Sequence, residues 1–111
     1  MAEVFKSVVS AGVGTSSASV YTCPASTTTV VIGCMLANRA SPLSTINVDV
    51  TLAKSGGATV NVVKGVQIFT GASLSLAGEN NKIVLEAGDV LSVQSDTATS
   101  VDVTMSILEI S

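Results

Sequence analysis

The chain has 111 residues, enough for one ordinary domain, with 47 % apolar, 12 % charged and only 3 % aromatic residues. The apolar part is mostly Val, Ile, Leu and Ala and the polar part mostly Ser and Thr, which is a β composition because branched β-carbons pack well on a pleated sheet. A net charge of −3 with five scattered cations (Lys6, Arg39, Lys54, Lys64 and Lys82) offers no basic patch to neutralise phosphates, which argues against nucleic acid as a partner.

Val4, Phe5, Val8 and Val9 mark residues 1–14 as an N-terminal arm or first strand. These four are the candidate interface residues. The small residues Ala11 to Ser17 read as a flexible connection to a sandwich domain over 15–111. No basic segment followed by a long apolar run opens the chain, and the longest apolar stretch, Val30 to Ala37, is far too short to cross a bilayer. The expectation is a protein made in the cytoplasm and free of the membrane.

Ser19 to Thr22 and Thr27 to Ala37 read as a hairpin around Pro24. In that register Cys23 faces Thr28 and Cys34 faces Ser17, so the two cysteines are expected as separate, buried, reduced thiols. Two thiols without histidine do not complete a zinc site. In the second strand Val30, Ile32, Cys34 and Leu36 share one face and Val31, Gly33, Met35 and Ala37 the other. Both faces are apolar, so this strand is expected to be covered on both sides.

Ile46, Val48, Val50 and Leu52 alternate with Asn47, Asp49 and Thr51, the period of a strand with one buried face. Ser55-Gly56-Gly57 turns the chain into a return strand from Ala58, and Val66, Ile68 and Phe69 carry the apolar pattern beyond Gly65. Ser73 to Leu76, Lys82 to Leu85 and Val90 to Val93 are short strands separated by polar or glycine-containing turns. The last strand sets Val101, Val103, Met105 and Ile107 against Asp102, Thr104 and Ser106. Eight or nine short strands, no helix and a turn about every ten residues predict an all-β, two-sheet β-sandwich of jelly-roll or immunoglobulin-like kind.

The chain has no histidine, which removes Ser-His-Asp and Cys-His catalysis from a single subunit. It carries no phosphate-binding glycine motif. Glu86 and Asp89 flank an Ala-Gly turn and are the candidate calcium pair, with Glu79 or Asn80 as helpers. The other reading has Asp89 accepting backbone amides of the turn beside Gly88. One Tyr and two Phe leave little with which to line a sugar cleft. No catalytic, cofactor-binding or metal residue is assigned, and a non-enzymatic protein is expected. So low a charge predicts burial of surface against copies of itself or a partner; hydration by Ser and Thr alone is the alternative.

Several segments in order carry a family likeness. They are Val20-Tyr21-Thr22-Cys23-Pro24-Ala25, the Thr/Val run to Leu36-Ala37-Asn38, Val63-Lys64-Gly65-Val66, and Gly71-Ala72-Ser73-Leu74. Ile83-Val84-Leu85-Glu86-Ala87-Gly88-Asp89-Val90-Leu91 follows, then Val101-Asp102-Val103 through Ser106-Ile107-Leu108-Glu109. From about residue 15 to the end the chain resembles small virion structural proteins of tailed phages, including marine and cyanobacterial ones. Cys23 stands where the pattern has an aliphatic residue, and Phe69-Thr70 where it has a proline-containing turn. The resemblance implies a non-enzymatic building block of the particle, located in the virion. Its partners would be copies of itself and other virion proteins, the major capsid protein first among them, in a homo-oligomer or on a lattice. Decoration and cementing of the capsid shell is the favoured role. A neck, tail or fibre position is the alternative, and a host-surface binding module the further one.

Overall fold

The computed structural model describes residues 2–78 and 81–111, and among them every regular element is a strand. The strands are β1 (Glu3–Val13), β2 (Ala18–Thr22), β3 (Thr28–Asn38), β4 (Ile46–Ala53) and β5 (Thr59–Ile68). β6 (Ser73–Ala77), β7 (Ile83–Leu85), β8 (Val90–Ser95) and β9 (Val101–Ile110) complete the chain. They form two packed antiparallel sheets, as the composition predicts. The five-stranded sheet runs β1-β9-β3-β6, with β7 also on β3, and the four-stranded sheet runs β2-β8-β4-β5.

The strand order has a simple origin. Glu3 faces Ile110, Ala18 faces Val93, Leu36 faces Leu74 and Ala53 faces Thr59. Each pair sits almost symmetrically about Gly56, so the chain is one long antiparallel hairpin bent at Ser55-Gly56-Gly57. That ribbon then coils, bringing β9 against β3 and β8 against β4. A coiled double ribbon is the jelly-roll arrangement, which separates the jelly-roll reading from the immunoglobulin-like one.

The expected hairpin around Pro24 is not formed. β2 pairs with β8 and β3 pairs with β9, β6 and β7, so residues 23–27 cross from one sheet to the other. The expected two-sided cover of β3 is corrected as well. Ile32 is an extra residue in a β-bulge, since Val31 faces Ile107 while Gly33 faces Ser106. Thr29, Val31, Cys34 and Leu36 therefore point into the core, and Val30 and Met35 point outward. Met35 is 49 % exposed.

The period-two readings of β4 and β9 hold. Ile46, Val48, Val50, Val101, Val103, Met105 and Ile107 are all buried, whereas Asp49 and Asp102 are half-buried and Thr104 is exposed. Of the stretch 11–17 expected to be flexible, residues 11–13 belong to a strand and residues 14–17 have no regular structure. β1 continues to Val13, which is buried, and Gly12 takes φ +66° at a bulge while its N–H reaches Asp102 Oδ1 at 2.9 Å. Residues 3–13 are thus the first strand of the chain's own sheet rather than a free arm.

Candidate interaction surface

Directly opposed residues of an antiparallel pair share a face of the sheet. Lys6, Val8 and Ser10 oppose Ile107, Met105 and Val103, so the even residues of β1 lie on the core side. The odd residues Phe5, Ser7 and Val9 oppose Leu108, Ser106 and Thr104 and lie on the outer face. Of the four candidate interface residues, Phe5 and Val9 stand outward, 75 % and 70 % exposed. Val8 packs against the core, and Val4 sits at the core-side margin opposite Glu109, 45 % exposed.

The structure adds residues that the sequence reading missed. Across the five-stranded sheet Phe5 adjoins Leu108, Leu108 adjoins Val30, and Val30 adjoins Val84. This is an apolar row on the solvent side, with Val84 itself 53 % exposed. A second row runs Val9, Thr104, Met35 and Ser75. Cross-strand neighbours of this kind reinforce one another. A face that leaves several large apolar side chains in contact with water is the usual mark of a protein–protein surface.

Ion pairs sit at both ends of the β1–β9 pair, the first of them on the core side of the sheet. Lys6 pairs with Glu109 at 2.8 Å, and Tyr21 donates its hydroxyl hydrogen to Glu109 Oε2 at 2.6 Å while lying 2.8 Å from Thr29 Oγ1. Burial, and then the donated bond to Glu109, push the Tyr21 phenol up to about 12. Lys6 and then Tyr21 hold Glu109 below the usual carboxylate range. Arg39 and Asp102 pair at 3.1 Å near the opposite end of the strand.

A second group of polar residues forms where the β2–β3, β4–β5 and β7–β8 connections meet, beside a depression of about 650 Å³ lined in part by Thr27, Lys54, Ser55, Glu86 and Asp89. Asp89 is buried, yet its carboxylate is fully engaged. Oδ1 accepts Ser55 N–H at 2.9 Å, and Oδ2 accepts Glu86 N–H at 2.8 Å together with the Lys54 ammonium. Lys54 also bonds Glu86 at 2.8 Å. The turn role read for Asp89 is therefore seen, extended to a clamp on two connections. The calcium pairing meets an ammonium group already seated between the two carboxylates. Its suggested helpers, Glu79 and Asn80, lie outside the described residues. Among the described residues no group of three or more potential metal ligands comes together.

The clamp makes stability depend on pH. Lys54 first, then the Ser55 amide, lower Asp89 from 3.8 to about 2. A carboxylate depressed in the folded state contributes stability above its unfolded pKa and loses it as pH falls through the folded value. Wild type is expected to lose midpoint temperature as pH drops from about 4 towards 2. Asp89→Asn should be several degrees less stable at neutral pH and show a shallower acid slope. Thermal melts across that pH range, followed by circular dichroism, check it; parallel slopes for the two proteins would refute the assignment.

Both cysteines are free and buried. Burial pushes the Cys34 thiol up to about 11, and Cys23 Sγ lies 3.3 Å from both Thr27 O and Thr29 Oγ1. Because the thiolate is the reactive form, neither should be alkylated by iodoacetamide at neutral pH without denaturant, and both should be in its presence. Mass spectrometry of the two samples decides this.

Comparison with known proteins finds no matching family model, no matching curated protein and no matching solved structure.

Proposed function

We propose that this chain is a non-enzymatic structural subunit of a tailed-phage particle, decorating the capsid shell through the outer face of its five-stranded sheet. The observation that carries the reading is the pair of rows on that face, where Phe5, Val9, Met35 and Val84 meet water without cover from their own chain. The ordered resemblance from about residue 15 onward supplies the particle; the fold alone does not, because sandwiches of this kind serve many functions. A free N-terminal arm is not what would hold the chain on the shell, since β1 is tied along β9. Its small single-domain build and low charge suit a subunit held flat against neighbours.

Met35→Lys with Val84→Lys tests the surface. Both side chains are exposed, so folding should be retained, while burying two unpaired ammonium groups in a contact should weaken loading by at least about tenfold. Quantitative mass spectrometry and cryo-electron microscopy of intact particles supply the second reading. Many copies on the shell support the proposal. A few copies at the neck or tail overturn the shell placement, and absence from particles overturns the whole assignment.

A further inference from the structure

We propose that two copies of this chain pair through the free edge of β1, antiparallel and centred on Ser7, to join their five-stranded sheets into one continuous sheet. The proposal does not rest on the phage reading.

The backbone identifies which groups are available. Ala2 and Ser111 exchange both of their N–H and C=O groups, at 2.7 and 2.9 Å. In an antiparallel ladder such doubly bonded pairs alternate with unbonded ones. The register from Glu3 to Ser10 is unbroken, so Val4, Lys6, Val8 and Ser10 direct their backbone groups at β9. Glu3, Phe5, Ser7 and Val9 direct theirs away from it, to an edge that no strand of the described residues occupies.

The other edges are blunted, as edges exposed to chance pairing usually are. β2 has five residues and a register shift between Ser19 and Tyr21. On the far side of the five-stranded sheet, β6 and β7 have five and three residues. β5 is longer, but its register shifts twice against β4, and Gly65 at φ +63° follows the charged Lys64. Among the described residues β1 alone offers a long regular edge without proline, and its bulge comes only after Ser10. Its one inward-facing cation, Lys6, is held by Glu109 of the same subunit.

On its outer face β1 carries an apolar residue two positions to either side of Ser7, Phe5 before it and Val9 after it. A two-fold axis at Ser7 sets Ser7 against its copy and Phe5 against Val9 of the second chain, and all of these are residues whose backbone groups face outward. The same register places Phe5 beside the second chain's Val9 on the outer face, covering the two most exposed apolar side chains of the strand. An isologous contact requires this kind of self-complementarity. Strand addition then satisfies backbone groups that would otherwise bond only water.

The test uses the full chain. Sedimentation equilibrium should show concentration-dependent association to twice 11.1 kDa. Ser7→Pro removes an N–H that faces the free edge and none that bonds β9, and edge positions tolerate proline. It should melt like wild type and dimerise at least about tenfold more weakly. Ser7→Cys provides the second arm. The native thiols are buried, so a short bis-maleimide should join two chains at residue 7 in high yield, and Gln67→Cys on the β5 edge should remain unlinked. A chain that stays monomeric at millimolar concentration overturns the proposal, as does a dimer of undiminished strength in Ser7→Pro. Should Ser7→Pro fail to fold, absence of the residue 7 cross-link overturns it equally.

Discussion

Val50→Asp is expected to abolish cooperative unfolding, leaving a chain without a thermal transition. Val50 is fully buried in the middle of the four-stranded sheet, opposite Val63 on one side and Val93 on the other. Losing the valine forfeits roughly 1.5–3 kcal/mol of burial. The carboxyl group that replaces it must either ionise in an apolar core or stay protonated with poor hydrogen bonding, a further cost of several kcal/mol. A domain of this length holds only about 5–15 kcal/mol in total. Thr51→Asp, one residue along and on the outer side of the sheet, is the control and should melt cooperatively. A Val50→Asp protein with a wild-type melting curve would show that the alternation in β4 had been assigned to the wrong face.

That alternation illustrates what the amino-acid sequence made legible. In β4 and β9 one apolar residue follows every polar one without a break, so the buried face can be read directly, and Val48, Val50, Val103 and Met105 are where the pattern puts them. β3 defeats the same rule because both parities are apolar and Ile32 interrupts the count. A bulge shifts every later side chain to the other face, and its one local sign is Gly33, since a glycine inside a strand often marks a bulge. The hairpin around Pro24 failed for a different reason. Proximity along the chain favours pairing of neighbouring strands, but here the whole chain is doubled back about Gly56. β2 consequently finds its partner in β8, far away in sequence. The part of that ribbon that local sequence marks is its end, the Ser55-Gly56-Gly57 turn with the β4–β5 hairpin around it.

The surface was half legible. Phe5 and Val9 stood out as apolar residues near the start of the chain, whereas Val30, Met35, Val84 and Leu108 join them only through cross-strand register, which no local pattern contains. Asp89 beside Gly88 is legible as a turn residue, and its carboxylate accepts the Glu86 amide of that turn. Its bonds to Ser55 and Lys54 were out of reach, because they link connections distant in sequence. The doubling sets the β7–β8 turn beside the β2–β3 connection, and the coiling that pairs β4 with β8 carries the β4–β5 turn to the same corner. The clamp is thus a consequence of topology rather than of local propensity.

Gly88→Ala should expose how tightly that corner is built. Gly88 has φ +84°, a backbone region that a residue with a β-carbon enters only at a cost of about 1–3 kcal/mol. The added carbon would also lie 2.7 Å from Ser55 Oγ and 2.9 Å from Ser55 Cβ, too close for either to stay in place. Ser55 has little freedom to retreat, since its own N–H is bonded to Asp89 and Gly88 N–H is bonded to Cys23 O at 2.9 Å. Crowding of this sort adds roughly 1–3 kcal/mol. The expected result is a loss of roughly 10 °C or more in melting temperature. A double-mutant cycle separates the two causes. Ser55→Gly removes both crowded atoms and leaves the backbone strain, so Ser55→Gly with Gly88→Ala should regain part of the loss and never all of it. Full recovery would assign the whole effect to the side-chain clash, and no recovery would assign it to the backbone. A Gly88→Ala protein that melts with wild type would mean that the three connections do not meet at Gly88 in the way described.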